Sequence, residues 1–426
     1  MNTGDRIRVN TKKREYSGIL IPRPGLAEDT HLVLKLNNGY NIGIPKESIV
    51  SSEVVEKAGE RPKKQTTEFD KTKPPISIIS TGGTITSEVD YKTGGVFPAE
   101  TAEDLLGKVP ELADYVSIKN MSSPFQLLSE DLTAKEWGKL AEEIAKELNS
   151  GAQGVILTHG TDILHYTSAA MSFMLQNLNK PVAVVGAQRS TDRGSFDGPQ
   201  NLLCAAHYCL SDIAEVSIVM HGTSDDDYCI ASRGTKVRKM HSSRRDAFRP
   251  INDSPLAKVF PDGNLIIENT DHNSRASGKV QADTKFEEKV GLVTYYPGAS
   301  PDILDFYINK GYKGLIIAAT GFGHISTQPL YKKTSWLPGL KKAVAKGIFV
   351  GITTQTLYGT TDPYVYAAGR LMEDAGAVFL KDMLPETAYV KLGWVLGHKN
   401  WNAKTKMLEN IAGEMSEKIN PKAFLN

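Results

Sequence analysis

The sequence predicts a doubly wound α/β body preceded by a small all-β module of the SH3-like barrel kind. Three observations carry this reading. Short runs that alternate or cluster apolar residues, broken by turn residues, fill the first 55 positions. Longer apolar runs then recur with helical segments between them. Several of those runs end in small polar residues, where open α/β sheets build their sites.

In the first module, residues 6–9, 16–21, 31–36 and 40–44 read as strands. Asn38-Gly39 joins the third to the fourth, and that dipeptide accepts the positive φ angles of a tight hairpin. Pro22, Pro24 and Gly25 keep the strands short. The module, residues 1–56, has a small core and is expected to lean on something else for stability. It is either a packing appendage or a docking module for a partner or RNA, the latter helped by Arg6, Arg8, Lys12, Lys13 and Arg14. Residues 57–75 (KAGERPKKQTTEFDKTKPP) have little apolar content and three prolines, and read as a linker.

The larger α/β domain is expected over residues 76–274. Residues 76–80, 155–158, 182–185 and 216–220 look like buried parallel strands. Residues 133–148 between two of them predict a helix: Thr133 and Glu136 have capping-box spacing, and Trp137, Leu140, Ile144 and Leu148 share one face. A polar stretch, 275–289, is read as an inter-domain linker. A smaller α/β domain over 290–426 has strands at 315–318 and 349–352 and a terminal helix over 403–419.

Composition narrows the class of protein. The 426 residues carry 50 Lys plus Arg and 49 Asp plus Glu, a formal net charge of +1. That balance argues against an autonomous nucleic-acid binder, though not against a local basic patch. A hydrophobic content of 40% with 23% charged residues excludes wholesale disorder. No apolar run is long enough to span a bilayer, and the first residues, MNTGDRIRVNTKKR, lack the apolar centre of a secretory signal. Cys204, Cys209 and Cys229 form neither a disulfide framework nor a metal-type pairing. A soluble cytoplasmic protein with no membrane contact is expected.

Three motifs carry chemistry. Ser80-Thr81-Gly82-Gly83-Thr84-Ile85 follows a strand; its glycines allow a tight turn and close approach to a ligand, and its threonines are hydroxyl nucleophiles that need an outside base. On residues alone it could equally be a phosphate-binding loop or a turn, although it lacks the Gly-Lys-Ser/Thr ending of a P-loop. Thr158-His159-Gly160-Thr161-Asp162 also follows a strand, and offers a carboxylate for an amine and a relay hydroxyl. A metal site of His159, His165 and Asp162 is disfavoured, since no further ligand cluster has useful spacing; His159 is expected to be structural. Val237-Arg238-Lys239-Met240-His241 lies in a basic segment, 233–249, which is either a solvated loop or the carrier of a lysine buried near Asp162 and tuned for proton transfer.

Together these residues resemble the asparaginase and glutaminase family of threonine amidohydrolases. The likeness runs in order through TGGTI, HGTD, the Lys239 segment ending Asp246-Ala247-Phe248, Asp197-Gly198-Pro199, Tyr296-Pro297-Gly298, Gly321-Phe322-Gly323 and the stretch from Pro385-Glu386 to Leu392, spanning roughly residues 76–400. With its β module and the RKMHSSRRDAF segment, the whole chain is similar to the D-subunit family of archaeal glutamyl-tRNA(Gln) amidotransferases.

The resemblance implies an asparaginase-like two-domain body in which Thr84 is the nucleophile toward the side-chain amide of glutamine. It implies that Thr161, Asp162 and Lys239 form the activating group and that backbone N–H groups near Gly83 and Thr161 hold the oxyanion. Ser123 would contact the substrate carboxylate, and Asp162 the α-amino group. Two departures stand out: the family's loop tyrosine has only Tyr91, at a different offset, to match it, and residues 124–131 are longer than their counterpart. The family resemblance further implies a homodimer of this chain within a heterotetramer, completed by the E subunit of the amidotransferase. That partner would use ATP and Mg²⁺, hold most tRNA(Gln) contacts and receive the ammonia, with no cofactor in this chain. The alternatives are a free-standing L-asparaginase and a catalytically silent tRNA-binding scaffold.

Overall fold

A computed structural model describes residues 1–2, 4–21, 30–36, 41–57, 70–82, 87–89, 96–98, 109–189, 195–418 and 420–424. The first module is one antiparallel sheet of five strands, ordered Asn41–Pro45, His31–Leu36, Glu15–Ile21, Arg6–Thr11, Ile49–Glu56. Ile7, Val9, Leu34 and Ile44 form its buried core. The fifth strand, Ile49–Glu56, has no counterpart in the sequence reading: most of its side chains are exposed, so it shows no clean burial pattern. Asn38-Gly39 and most of the linker lie outside the described residues. Part of the basic patch is neutralised in place, because Arg6 pairs with Glu56 and Arg8 with Glu15 and Glu53. Of the residues proposed for RNA docking, this leaves Lys12, Lys13 and Arg14 at one turn.

The larger domain is built on an eight-stranded sheet, ordered Leu265–Ile267, Ala257–Val259, Cys229–Arg233, Val216–His221, Val182–Val185, Val155–Thr158, Pro75–Ser80, Ser117–Ser122. The five strands from Val216–His221 to Ser117–Ser122 run parallel. The three on the other side are antiparallel, so the sheet is mixed rather than wholly parallel. The four predicted strands of this domain are all present and all parallel. Their neighbour Ser117–Ser122 gives no strand signal because it is polar, Ser-Ile-Lys-Asn-Met-Ser, as an edge strand can be. The helix Ala134–Asn149 has the full reciprocal capping box of Thr133 and Glu136, and buries Trp137, Leu140, Ile144 and Leu148.

Residues 275–289, the expected inter-domain linker, are held against the larger domain. Gln281–Ala282 pairs with Leu175–Gln176, Arg275 donates to the carbonyls of Cys209 and Ser211, and Phe286 packs edge-on against Trp137. The smaller domain is a four-stranded parallel sheet, Val290–Thr294, Gly314–Ala319, Phe349–Thr354, Val378–Phe379, with its own core around Leu304, Ile317, Trp336 and Ile352. The late helix, Pro385–Leu396, is nearly all buried between that sheet and the helix Leu164–Met174 of the larger domain.

The expected terminal helix over 403–419 is only Ala403–Leu408. The chain then turns so that Glu414, fully buried, reaches Lys391 Nζ at 2.5 Å and accepts from the backbone N–H groups of Ile411 and Ala412. Gly413 has φ +72°, which a helix cannot contain. A buried ion pair outweighs local helix propensity here, because an unpaired buried carboxylate is costly. Replacing Lys391 with Met is therefore expected to destabilise the fold by about 3–5 kcal/mol in denaturant titration. Removing Glu414 as well should recover part of that loss.

Candidate active site

Adjacent parallel strands place the first two motifs side by side. Pro75–Ser80 and Val155–Thr158 are paired in register, Ser80 opposite Thr158. Past their ends, Thr81 donates through its N–H and its hydroxyl to the carbonyl of Thr158, at 3.1 and 3.2 Å. Gly82 follows at φ +98°, a turn that favours glycine. The TGGT motif thus emerges beside HGTD, although Gly83 and Thr84 themselves, and Tyr91, lie outside the described residues.

Lys239 comes from elsewhere, 77 residues after Asp162 in the chain, and meets that loop directly. Its Nζ lies 2.9 Å from Thr161 Oγ1 and 2.8 Å from Asp162 Oδ1. The lysine side chain is only 10% exposed and the aspartate 66% exposed, so the ammonium is shielded while the carboxylate keeps an open face. An ammonium held by a carboxylate and donating to a hydroxyl makes that hydroxyl easier to deprotonate. In the basic segment, Lys239 lies shielded beside Asp162 rather than free in solvent. The rest of the segment is ion-paired: Asp246 takes Arg244 and Arg249, and Asp226 takes Arg245.

Ser123 stands at the end of the neighbouring edge strand, where its hydroxyl bonds the carbonyls of Ser80 and Phe125, both at 3.1 Å. The long stretch 124–131 is docked on both loops. The N–H of Leu127 donates to the carbonyl of Thr81, and a Cβ at Gly160 would lie 2.8 Å from Ser129 Cβ. Glycine at 160 is thus what lets this stretch lie against HGTD.

His159 is a frame residue. One ring nitrogen is 2.6 Å from the carbonyl of Gly160 and the other 2.9 Å from the hydroxyl of Thr167, which also accepts from Trp137 Nε1. With both nitrogens taken by protein, the imidazole has none left for a metal. Burial holds its pKa down, to about 4, and His165 is pushed to about 3 by burial together with Arg238 and Lys239. Among the described residues, no three His, Cys, Asp or Glu side chains are grouped to hold a metal ion.

Asp197, from the Asp-Gly-Pro motif, is almost wholly buried and accepts from the N–H groups of Gln188 and Arg189. It thereby shapes the loop after the next strand, where a Cβ at Gly186 would strike the Thr161 methyl at 2.9 Å. Sequence reasoning missed Ser129, Gln188 and the ion pair of Arg238 with Glu386, 3.1 Å apart. Nothing in the chain signalled Ser129 or Gln188, because each depends on long-range packing.

The chain can now be set beside known proteins. Residues 75–272 match the family model "Asparaginase, N-terminal", residues 289–408 "Glutaminase/Asparaginase C-terminal domain", and residues 1–55 "GatD N-terminal domain". The chain is 49% identical to the D subunit of the glutamyl-tRNA(Gln) amidotransferase of Pyrococcus furiosus, covering 100% of this chain and 97% of the relative. It is 44% identical to the same subunit of the Methanobrevibacter smithii enzyme, over 99% and 96%. Among solved structures, the thermostable L-asparaginase of Thermococcus kodakarensis superposes with a TM-score of 0.70 at 28% identity, covering 81% of this chain and 100% of that one. L-asparaginase I of Vibrio cholerae gives 0.69 at 29%, over 81% and 99%.

The buried histidine makes one outcome measurable. His159 is neutral in the fold, while in the unfolded chain it protonates near its ordinary value of 6.5. Its contribution to stability is therefore fully present above pH 6.5 and is lost as pH falls toward 4, by about 3 kcal/mol. In denaturant titrations between pH 7.5 and 4.5, His159→Gln should lose stability less steeply with falling pH than the parent.

Proposed function

The chain belongs to the family of glutamyl-tRNA(Gln) amidotransferase D subunits, and from that premise we propose that it is the glutaminase half of the amidotransferase. The observation that carries this reading is the contact of Lys239 Nζ with both Thr161 Oγ1 and Asp162 Oδ1, beside the strand exit from which TGGT emerges.

In this reading the hydroxyl of Thr84 attacks the side-chain amide carbon of glutamine, and its proton passes to the departing nitrogen. The carbon–nitrogen bond breaks, ammonia leaves and a threonine ester remains. Water then attacks the ester, Thr161 under the influence of Lys239 takes its proton and passes it to the Thr84 oxygen as that carbon–oxygen bond breaks, and glutamate is released. A threonine hydroxyl needs such help, since almost none of it is ionised near neutrality. Backbone N–H groups near Gly83 and Thr161 would hold the oxyanion, Asp162 through its open face the substrate's ammonium, and Ser123 its carboxylate. Gly83 and Ser123 thus join Asp162 as substrate-binding residues.

The ammonia passes to a partner, the E subunit, which activates glutamate on tRNA(Gln) with ATP and Mg²⁺ and holds most of the tRNA. Two copies of this chain and two of the partner make the assembly, in the cytoplasm. The docking of residues 124–131 on Thr81 and Gly160 supports a coupling of glutaminase activity to the partner, since any shift of this stretch moves both loops.

Ammonia release from glutamine and from asparagine tests the reading, for the chain alone and then with the E subunit, Glu-tRNA(Gln), ATP and Mg²⁺. Glutamine turnover that rises sharply only in the full mixture is expected. Strong asparagine turnover by the lone chain, indifferent to the additions, would instead make it a free-standing asparaginase. Thr84→Ala should lower glutamine turnover at least ~10³-fold, and Lys239→Met by ~10²–10⁴-fold.

A further inference from the structure

The strand that delivers Lys239 has an unusual support. Val237–Lys239 is three residues long and, among the described residues, pairs only with Phe248–Pro250, in a two-stranded ribbon separate from the large sheet. A ribbon this small does not hold its own position. Side chains alternate along a strand, so Val237 and Lys239 share one face while Lys236 and Arg238 share the other. Lys239 turns toward the HGTD loop. Lys236 and Arg238 turn toward the smaller domain, where Lys236 pairs with Asp382 and Arg238 Nη2 lies 3.1 Å from Glu386 Oε1.

The two pairs differ in kind. Lys236 and Asp382 are buried and well satisfied: Asp382 also accepts from the N–H of Ser416, and Lys236 donates to the Ser416 hydroxyl. The Arg238–Glu386 pair sits next to the catalytic candidate itself. Glu386 opens the helix Pro385–Leu396 and is 6% exposed, yet its Oε2 has no hydrogen-bond partner; the buried Nδ1 of His165 has none either. An apolar residue would fill such a place at less cost. The acid stands beside an arginine whose chain neighbour is the lysine of the site.

We infer that Arg238 and Glu386 are positioning residues, which hold the Lys239 ammonium against Thr161 and Asp162 by tying its strand to the smaller domain. This rests on the glutaminase reading above. A lysine side chain has four rotatable bonds, and two simultaneous contacts near 2.9 Å survive only if its backbone is fixed. The consequence is directional: a movement of the late helix is transmitted through Glu386 and Arg238 to the activating lysine.

The test is steady-state glutamine hydrolysis by the full complex, comparing Arg238→Met, Arg238→Lys, Glu386→Gln and the double variant Arg238→Met/Glu386→Gln, each with its thermal midpoint. Arg238→Met and Glu386→Gln should each lower kcat about tenfold or more with KM within about twofold, Arg238→Lys should recover part of the loss, and the double variant should be no slower than the worse single one. Near-parental kcat in both single variants would overturn the inference, as would losses that multiply in the double variant or that track a fall in thermal midpoint. Failure of the glutaminase reading shows differently, as no glutamine turnover by the parent complex.

Discussion

The alignment of two neighbouring parallel strands, Pro75–Ser80 and Val155–Thr158, is the constraint on which the site rests. Their register puts Ser80 opposite Thr158, and Thr81 is tied to the Thr158 carbonyl by backbone and side chain together. Parallel strands leave a sheet on the same side, so two loops with small polar residues must emerge as neighbours. Buried polar contacts hold the loops at that edge: Asp197 shapes the third loop, and His159 ties the HGTD loop to Thr167 and Trp137.

The smaller domain takes part in this arrangement rather than merely adjoining it. Its late helix lies buried against the helix Leu164–Met174, and its acids Asp382 and Glu386 grip the strand bearing Lys239. The seam through residues 275–289 and the chain end folded around Glu414 complete the same contact. The two domains are therefore joined by buried contacts that reach the strand bearing Lys239. Relatives with an asparaginase body share the larger frame, whereas the first 55 residues match a module named for the D subunits. That module has its own small core, and ion pairs take up Arg6 and Arg8 of its basic residues.

The site was legible in part, and for a definite reason. HGTD and the lysine of the basic segment stood out because polar residues at strand ends, and a lysine amid a charged run, are local patterns. Their meeting was not local: 77 residues separate Asp162 from Lys239. The resemblance to the amidohydrolases, more than any spacing, joined them beforehand. Glu386 and Ser129 lay in stretches the sequence singled out, but their contacts gave no sign, since an acid in a helix's first turn and a serine in a loop are ordinary in sequence.

By itself the sequence determined the regular parts: four buried strands of the larger domain, the capped helix Ala134–Asn149, two of the four strands of the smaller domain, and the strand-end motifs. These follow from hydrophobic period and capping chemistry, which act over a few residues. Tertiary structure decided the antiparallel edge of the large sheet, the pinned seam at 275–289 and the end of the terminal helix at Leu408. It also decided which lysine meets Asp162. The seam and the chain end depend on pairing buried polar or charged groups with partners elsewhere in the fold, because leaving such groups unpaired costs more than local propensity can offset.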